Sequence, residues 1–136
     1  MFLSGCTGGY LTAPGTSTDE SNISTVLYDY MGAIYSEDWD SAKSLCVYES
    51  DAYSSTSFLE KLFNDMHYQC SIVGIDYYLG NISNVSINGN DAKAYVYVTM
   101  VMICDEITDI DRYPSTIFRL EKIGTDWKIY HWKNVD

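Results

Sequence analysis

From Ile23 to Met66 the apolar residues recur at intervals of three and four, and beyond Cys70 they alternate instead. That change of period divides the 136 residues into a helical first part and a strand-forming second part, which points to an α+β fold with an antiparallel sheet built after the helices. In the first part Val26, Leu27, Tyr30, Met31, Ile34 and Tyr35 mark one helix, with Asn22 as its cap. Trp39, Ala42, Leu45 and Cys46 mark a short second helix entered through Asp38. A third is predicted from the capping box Ser57-Phe58-Leu59-Glu60, burying Phe58, Leu59, Leu62, Phe63 and Met66.

The strand-forming part begins with Ile72 to Leu79 and continues with Val85 to Ile87, ahead of the turn signal Asn88-Gly89. From Ala92 to Ile103 both alternating sets are largely apolar, which predicts a central strand buried on much of both faces. A closing hairpin is expected from Ser115 to Ile123 and Trp127 to Asn134 around Gly124-Thr125. A two-residue loop there sets Leu120 opposite Ile129 and Phe118 opposite His131 on an inner face that also takes Trp127. Glu121 then meets Lys128, and Arg119 meets Tyr130, on the outer face.

Hydrophobic residues make up 46% of the chain, enough for one core and not two. Nineteen acidic residues against eight basic ones give a formal charge of −11, which repels phosphate backbones and argues against nucleic acid as a partner. No apolar run reaches the length of about 18 residues that a membrane helix needs. The start is different in kind: Leu3-Ser4-Gly5-Cys6 resembles a prokaryotic lipobox, with Cys6 as the lipidation site. Only Met1 to Gly5 precede Cys6, so either the tetrapeptide is chance or, as the tether-like composition after it favours, the start is truncated or assigned too far downstream and a basic and apolar signal segment lies upstream in frame. The Pro, Gly, Ser and Thr-rich stretch after Cys6 reads as a tether, giving a division into residues 1–21 and a folded domain over 22–136. The corresponding expectation is an extracytoplasmic domain that meets the membrane only through a lipid on Cys6, or is secreted.

Cys46, Cys70 and Cys104 form no CxxC pair, so neither a zinc site nor a redox motif is predicted. Buried free thiols are the expectation, with one disulfide among the three pairings as the alternative for an exported domain. Asp105, Glu106, Asp109 and Asp111 gather oxygen ligands of the type calcium prefers, but without the EF-hand pattern they read as a solvated hairpin loop, and no metal is expected. Three glycosylation sequons, at Asn22, Asn81 and Asn84, bear only on surface location.

Two local patterns resemble the nuclear transport factor two-like, or cystatin-like, superfamily over about Ser21 to Asp136. One is Tyr30-Met31-Gly32-Ala33-Ile34-Tyr35-Ser36-Glu37-Asp38-Trp39-Asp40, similar to a tyrosine-bearing first helix followed by an acidic entry to the second. The other is Phe118-Arg119-Leu120-Glu121-Lys122 with Gly124 and Trp127-Lys128-Ile129, similar to the closing hairpin. The resemblance implies a cone, a strongly curved sheet wrapped around the N-terminal helices, whose open end can hold a small apolar ligand between sheet and helices, and pairing through the outer sheet face in many members; no cofactor is expected. Tyr30, Met100, Phe118 and His131 are the pocket residues it suggests.

Ketosteroid isomerases of this superfamily use a first-helix tyrosine as an oxyanion donor, and Tyr30 resembles it, but the place of their carboxylate base falls on Ser54. Dehydratases of the superfamily pair a histidine with an aspartate; His131 and Asp76 are the residues of this chain that fit, and His67 is the remaining histidine. No catalytic set is complete. The leading expectation is a non-enzymatic binding or accessory domain, the alternative a small cofactor-free isomerase or dehydratase using Tyr30, His131 and Asp76. A third role is self-association: Tyr95, Tyr97, Tyr130 and Trp132 are placed by alternation on the outer sheet face, where they suit a homodimer.

Overall fold

Helix α1 (Thr16–Tyr35) buries Ile23, Leu27, Tyr30, Met31 and Ile34, the stripe that the three-and-four spacing predicts. Tyr35 lies off that stripe and is exposed. The computed structural model describes residues 16–135, the side chains of residues 16–17, 76–80 and 111–115 excepted, so Cys6 and the start of the tether lie outside the described residues. Within them α1 begins at Thr16, ahead of the Asn22 cap, and takes in residues whose composition reads as tether. The extra turns have something to hold. Asp19 accepts hydrogen bonds from Trp127 Nε1 and Lys122 Nζ, both at 3.1 Å.

Helix α2 (Trp39–Ser44) is capped by Asp38, whose side chain accepts from the Ser41 amide. Helix α3 (Asp51–Gln69) is capped by Ser50 and so starts before the Ser57 box. The earlier start adds Ala52 and Thr56 to the buried face, which they share with Phe63. Phe58, predicted to be buried, is 65% exposed, while Leu59 and Met66 pack against the core.

Four antiparallel strands follow, β1 (Val73–Asn88), β2 (Asp91–Cys104), β3 (Ile107–Ile123) and β4 (Asp126–Val135), paired in that order. Each hairpin turns through two residues whose first lies in the left-handed region: Gly89 (φ 62°), Asp105 (φ 54°) and Gly124 (φ 65°). Asp105 fills such a position without being glycine because it is tied down: its amide donates to the Ile72 carbonyl at 2.7 Å and its Oδ1 accepts from the Ile72 amide at 2.8 Å. The acidic segment is therefore not a loop. Only Asp105 and Glu106 form the turn, and Asp109 and Asp111 belong to β3, paired with Met102 and Met100.

The predicted break before Val85 is likewise absent: β1 runs on through register shifts between Leu79 and Ile82 and between Ser83 and Ser86. On β2, Ala92, Ala94, Val96 and Val98 are buried, whereas Tyr97 on the opposite face is 41% exposed. Helices cover only one face of this stretch, so the doubly buried strand expected from composition is realised on one side. The helix-facing small residues Ala92 and Ala94 join a core made with Leu27, Ile34, Phe118, Leu120, Trp127 and Ile129.

The free edge of β4 is covered by the chain leaving α2, where the Val47 amide donates to the Ile129 carbonyl at 2.8 Å and the Ile129 amide to the Leu45 carbonyl at 2.9 Å. At the other end of the sheet a disulfide joins Cys70, the cap of α3, to Cys104, the last residue of β2. Two of the three thiols expected to be free are thus paired, and Cys46 is the buried free one.

The Asp19 contacts make a pH prediction. Hydrogen bonds from Trp127 and Lys122 hold its carboxyl below the ordinary 3.8 despite some desolvation. A depressed pKa contributes stability above the unfolded value and loses it as pH falls through the folded one. Asp19→Asn is therefore expected to be the less stable protein near neutrality and to converge with the parent in acid. Denaturant melts from about pH 7 to pH 2 decide this; parallel profiles would show that the Asp19 carboxylate adds nothing.

Candidate functional site

Between α1, α3 and the inner face of the sheet lies a cavity of about 140 Å³. Tyr30 and Met31 come to it from α1, Leu59 from α3, Val98 and Met100 from β2, Thr116 and Phe118 from β3, and Trp132 and Asn134 from β4. Tyr30 packs edge-on against Phe118, and Phe118 lies tilted against Trp132, each pair with ring centroids 6.3 Å apart.

Trp132 and Asn134 reach this cavity because of a bulge. The closing hairpin keeps the expected register through Leu120↔Ile129, but the next pair is Arg119↔His131, so Tyr130 is an extra residue on β4. One inserted residue exchanges the two faces of everything beyond it. Phe118 consequently faces Trp132 and Thr116 faces Asn134, where unbroken alternation predicts His131 and Lys133. This corrects three expectations together. His131 does not line the pocket, Arg119 pairs with His131 rather than Tyr130, and Trp132 leaves the outer aromatic face proposed for a dimer.

The sequence carried a signal of this. Continuing period two from Trp127 and Ile129 would aim Lys133 at the core, a charge without a partner there, and a shift by one residue replaces it with Asn134.

The candidate catalytic residues are not brought together. His131 sits at the sheet edge with Nδ1 3.3 Å from an oxygen of Asp51. His67 pairs with Glu37 at 2.7 Å on the surface. The backbone of Asp76 pairs with Val101, and its side chain lies outside the described ones. Ser54 is exposed on α3.

Tyr30 does reach the cavity, and its hydrogen bonds define what it can do. Its hydroxyl is 2.8 Å from Thr56 Oγ1, which is 2.7 Å from the Ala52 carbonyl. A carbonyl can only accept, so the Thr56 proton goes to Ala52 and Thr56 must accept the Tyr30 proton. The phenol proton is therefore committed inside the fold and cannot serve an oxyanion. Burial pushes the ionisation of Tyr30 far up, so the phenolate is no base near neutrality. Cys46 belongs to the same cluster, donating to the Ala42 carbonyl at 3.5 Å with its sulfur 3.7 Å from Thr56 Oγ1. Burial raises its pKa too, which suits a packing thiol and not a nucleophile.

The second hydroxyl of the cavity is committed in the same way: Thr116 donates to Asn134 Oδ1 at 2.9 Å. Trp132 Nε1 differs. It is cut off from solvent and has no acceptor. The indole weakly favours the ionised form of Tyr30, yet its approach to the hydroxyl falls short of hydrogen-bond geometry. Among the described residues, the one other cluster of metal-ligand type is Cys70, Cys104 and Asp105. Its two sulfurs are spent in the disulfide.

The chain matches no protein-family model, and no curated protein matches it in sequence. Solved structures match it well. One is a nuclear transport factor two-like protein with a cystatin-like fold from Novosphingobium aromaticivorans, at TM-score 0.69 and 13% identity over 87% of this chain and 81% of the other. Another is the β subunit of benzoate 1,2-dioxygenase from Burkholderia mallei, at TM-score 0.66 and 9% identity over 82% and 86% of the two chains. A candidate scytalone dehydratase from Novosphingobium aromaticivorans aligns at TM-score 0.64 and 13% identity over 88% and 86%. At these identities the likeness establishes the fold, α+β with helices followed by an open antiparallel sheet of the cystatin-like cone type. It does not establish an activity.

Proposed function

We propose that this domain is an extracytoplasmic, lipid-anchored binding or accessory module that takes a small apolar ligand and performs no chemistry on it. The observation that carries this reading is the state of the cavity. Its wall is aromatic and aliphatic, the hydroxyl protons of Tyr30 and Thr116 are consumed internally, and no acid–base pair stands among the described lining residues. Proton transfer needs a group free to give or take a proton within hydrogen-bond reach of the substrate. A small apolar molecule needs only the space and the walls, and an apolar cavity of about 150 Å³ is sufficient for benzene.

The location rests on other features. A disulfide between Cys70 and Cys104 is the chemistry of an oxidising compartment, and the lipobox-like Leu3-Ser4-Gly5-Cys6 supplies an anchor for a domain with no described helix long and apolar enough to cross a membrane.

Two measurements test the two halves. Carbon-13 methyl spectra of Met31 and Met100, which both border the cavity, are expected to shift saturably when benzene or toluene is added at millimolar concentration. Unmoved methyls would end the pocket reading. For the anchor, the protein expressed with its own in-frame upstream sequence should partition into membranes, and Cys6→Ser should release it. Equal solubility of the two proteins would remove the lipid from the proposal.

A further inference from the structure

The sheet has two edges, and only one of them is covered. β4 is closed off where Leu45 and Val47 pair with Ile129, whereas β1 forms the other edge. Among the described residues, no backbone group beyond the sheet pairs with residues 73–79 of β1. Alternate N–H and C=O groups of an edge strand point away from its neighbour, and proteins blunt such an edge with lysine, proline or a bulge. None of these interrupts residues 73–79. The stretch has no lysine and no proline, and its pairing runs from Val73↔Cys104 to Leu79↔Val98 without a shift. The register shifts come only beyond Leu79, where Asn84 also adopts a left-handed φ of 52°. β1 therefore offers seven residues of regular, unpaired edge before its first bulge.

We infer that residues 73–79 of β1 accept an extended, basic peptide segment of a partner protein, which adds to the sheet as a fifth strand. The charge around this edge selects the partner. Residues 73–79, 98–104 and 107–113, with the turn between the last two, form this half of the sheet and carry five acids, Asp76, Asp105, Glu106, Asp109 and Asp111, against one base, Arg112. Asp105 is bonded to Ile72, next to the start of the edge. Asp109 pairs with Met102 and Met102 with Ile75, so it stands two strands in, about 10 Å from β1, a distance comparable with the Debye length at about 0.1 M salt. A second copy joined edge to edge would set these acids against their counterparts, and like charges across a strand pair are destabilising. A basic strand meets the opposite sign. Ile72 and Ile107, 65% and 68% exposed at the same end, offer apolar contact to its alternate side chains. None of residues 73–79 stands among the described residues lining the cavity, so edge and cavity are tested separately.

The test uses the nitrogen-15-labelled chain and an end-blocked peptide of about seven residues, the length of the regular edge, alternating lysine and valine. Two controls share its length. One is the same peptide N-methylated at every residue, which keeps the charge and donates no backbone hydrogen; the other alternates glutamate and valine. Amide hydrogen exchange is read with and without each peptide. The lysine peptide is expected to slow exchange at alternate amides of residues 73–79, those not already bonded to β2, and its affinity should fall as salt is raised. The N-methylated peptide should bind at least about tenfold more weakly, because several backbone hydrogen bonds are lost and each is worth up to about that factor. The glutamate peptide should leave these amides unchanged.

Equal binding of the lysine peptide and its N-methylated form would reduce the contact to charge and overturn strand addition. Protection that arises elsewhere in the sheet, or nowhere at millimolar peptide, would overturn the site. Equal protection by the glutamate peptide would overturn the basic class. Protection of the same amides that grows with protein concentration alone would assign the edge to a second copy of the chain and overturn the partner.

Discussion

Phe118→Ala and Trp127→Ala are each expected to destabilise the domain by roughly 3–5 kcal/mol, the range for removing a large ring from a packed interior. Both rings are 2% exposed. Phe118 is the middle member of the row Tyr30, Phe118, Trp132, so its loss deprives two further rings of a neighbour and enlarges a space that already measures about 140 Å³. Trp127 loses packing and also leaves Asp19 with a single donor, Lys122. The two should differ in their ligand phenotype. Phe118→Ala is expected to alter the methyl shifts of Met31 and Met100 on ligand addition, and Trp127→Ala, which does not line the cavity, to leave them as in wild type. Denaturant melts measure the stability effect, and a loss below about 1 kcal/mol for either variant would place that ring outside the core.

The helix and strand division could be read because periodicity is local: Leu27, Tyr30, Met31 and Ile34 repeat at helical spacing whatever lies across from them, and all four are buried. The turn at Gly124-Thr125 was legible for the same reason, and it set Leu120 against Ile129 and Glu121 against Lys128 correctly. What escaped was set by distant contacts. Tyr130 is displaced as the extra residue of the bulge, with its hydroxyl donating to Asp91 at 3.1 Å, and this partner is remote in sequence.

The composition of the candidate site divided along the same line. Tyr30, Met100 and Phe118 border the cavity and were identifiable from their elements, whereas Thr116, Trp132 and Asn134 depended on a bulge that shifts the face. Thr56, which consumes the Tyr30 proton, became legible only once α3 was seen to start at its Ser50 cap, since that start puts Thr56 one turn beyond Ala52 on the buried face. Its role also corrects the chemistry expected of Tyr30. A tyrosine at the place of an oxyanion donor is a donor only if nothing inside the fold accepts its proton first.

Opening the Cys70–Cys104 disulfide, by reduction or by the paired change to alanine, is expected to cost the domain about 3–4 kcal/mol. The bond closes a loop with a sequence separation of 34, and the entropy that such a link removes from the unfolded chain is of that size. No spacing motif announced which of Cys46, Cys70 and Cys104 would pair, because the two partners meet only when the end of α3 is brought to the end of β2. The same junction is held by the reciprocal Ile72 and Asp105 hydrogen bonds, so the native sheet should persist after reduction while the unfolded state expands. Expansion raises the surface exposed on unfolding, so the slope of the denaturant transition should steepen as its midpoint falls. That pairing of effects separates an unfolded-state mechanism from simple loss of packing, which would move the midpoint alone. It also bears on location, since a domain that loses this much stability on reduction is poorly suited to a reducing compartment. Melts with and without reductant, alongside the Cys70→Ala/Cys104→Ala double variant, provide the measurement. A change below about 1 kcal/mol in both would show that the bond is dispensable for the fold, and would take with it the support that the bond lends to an extracytoplasmic site.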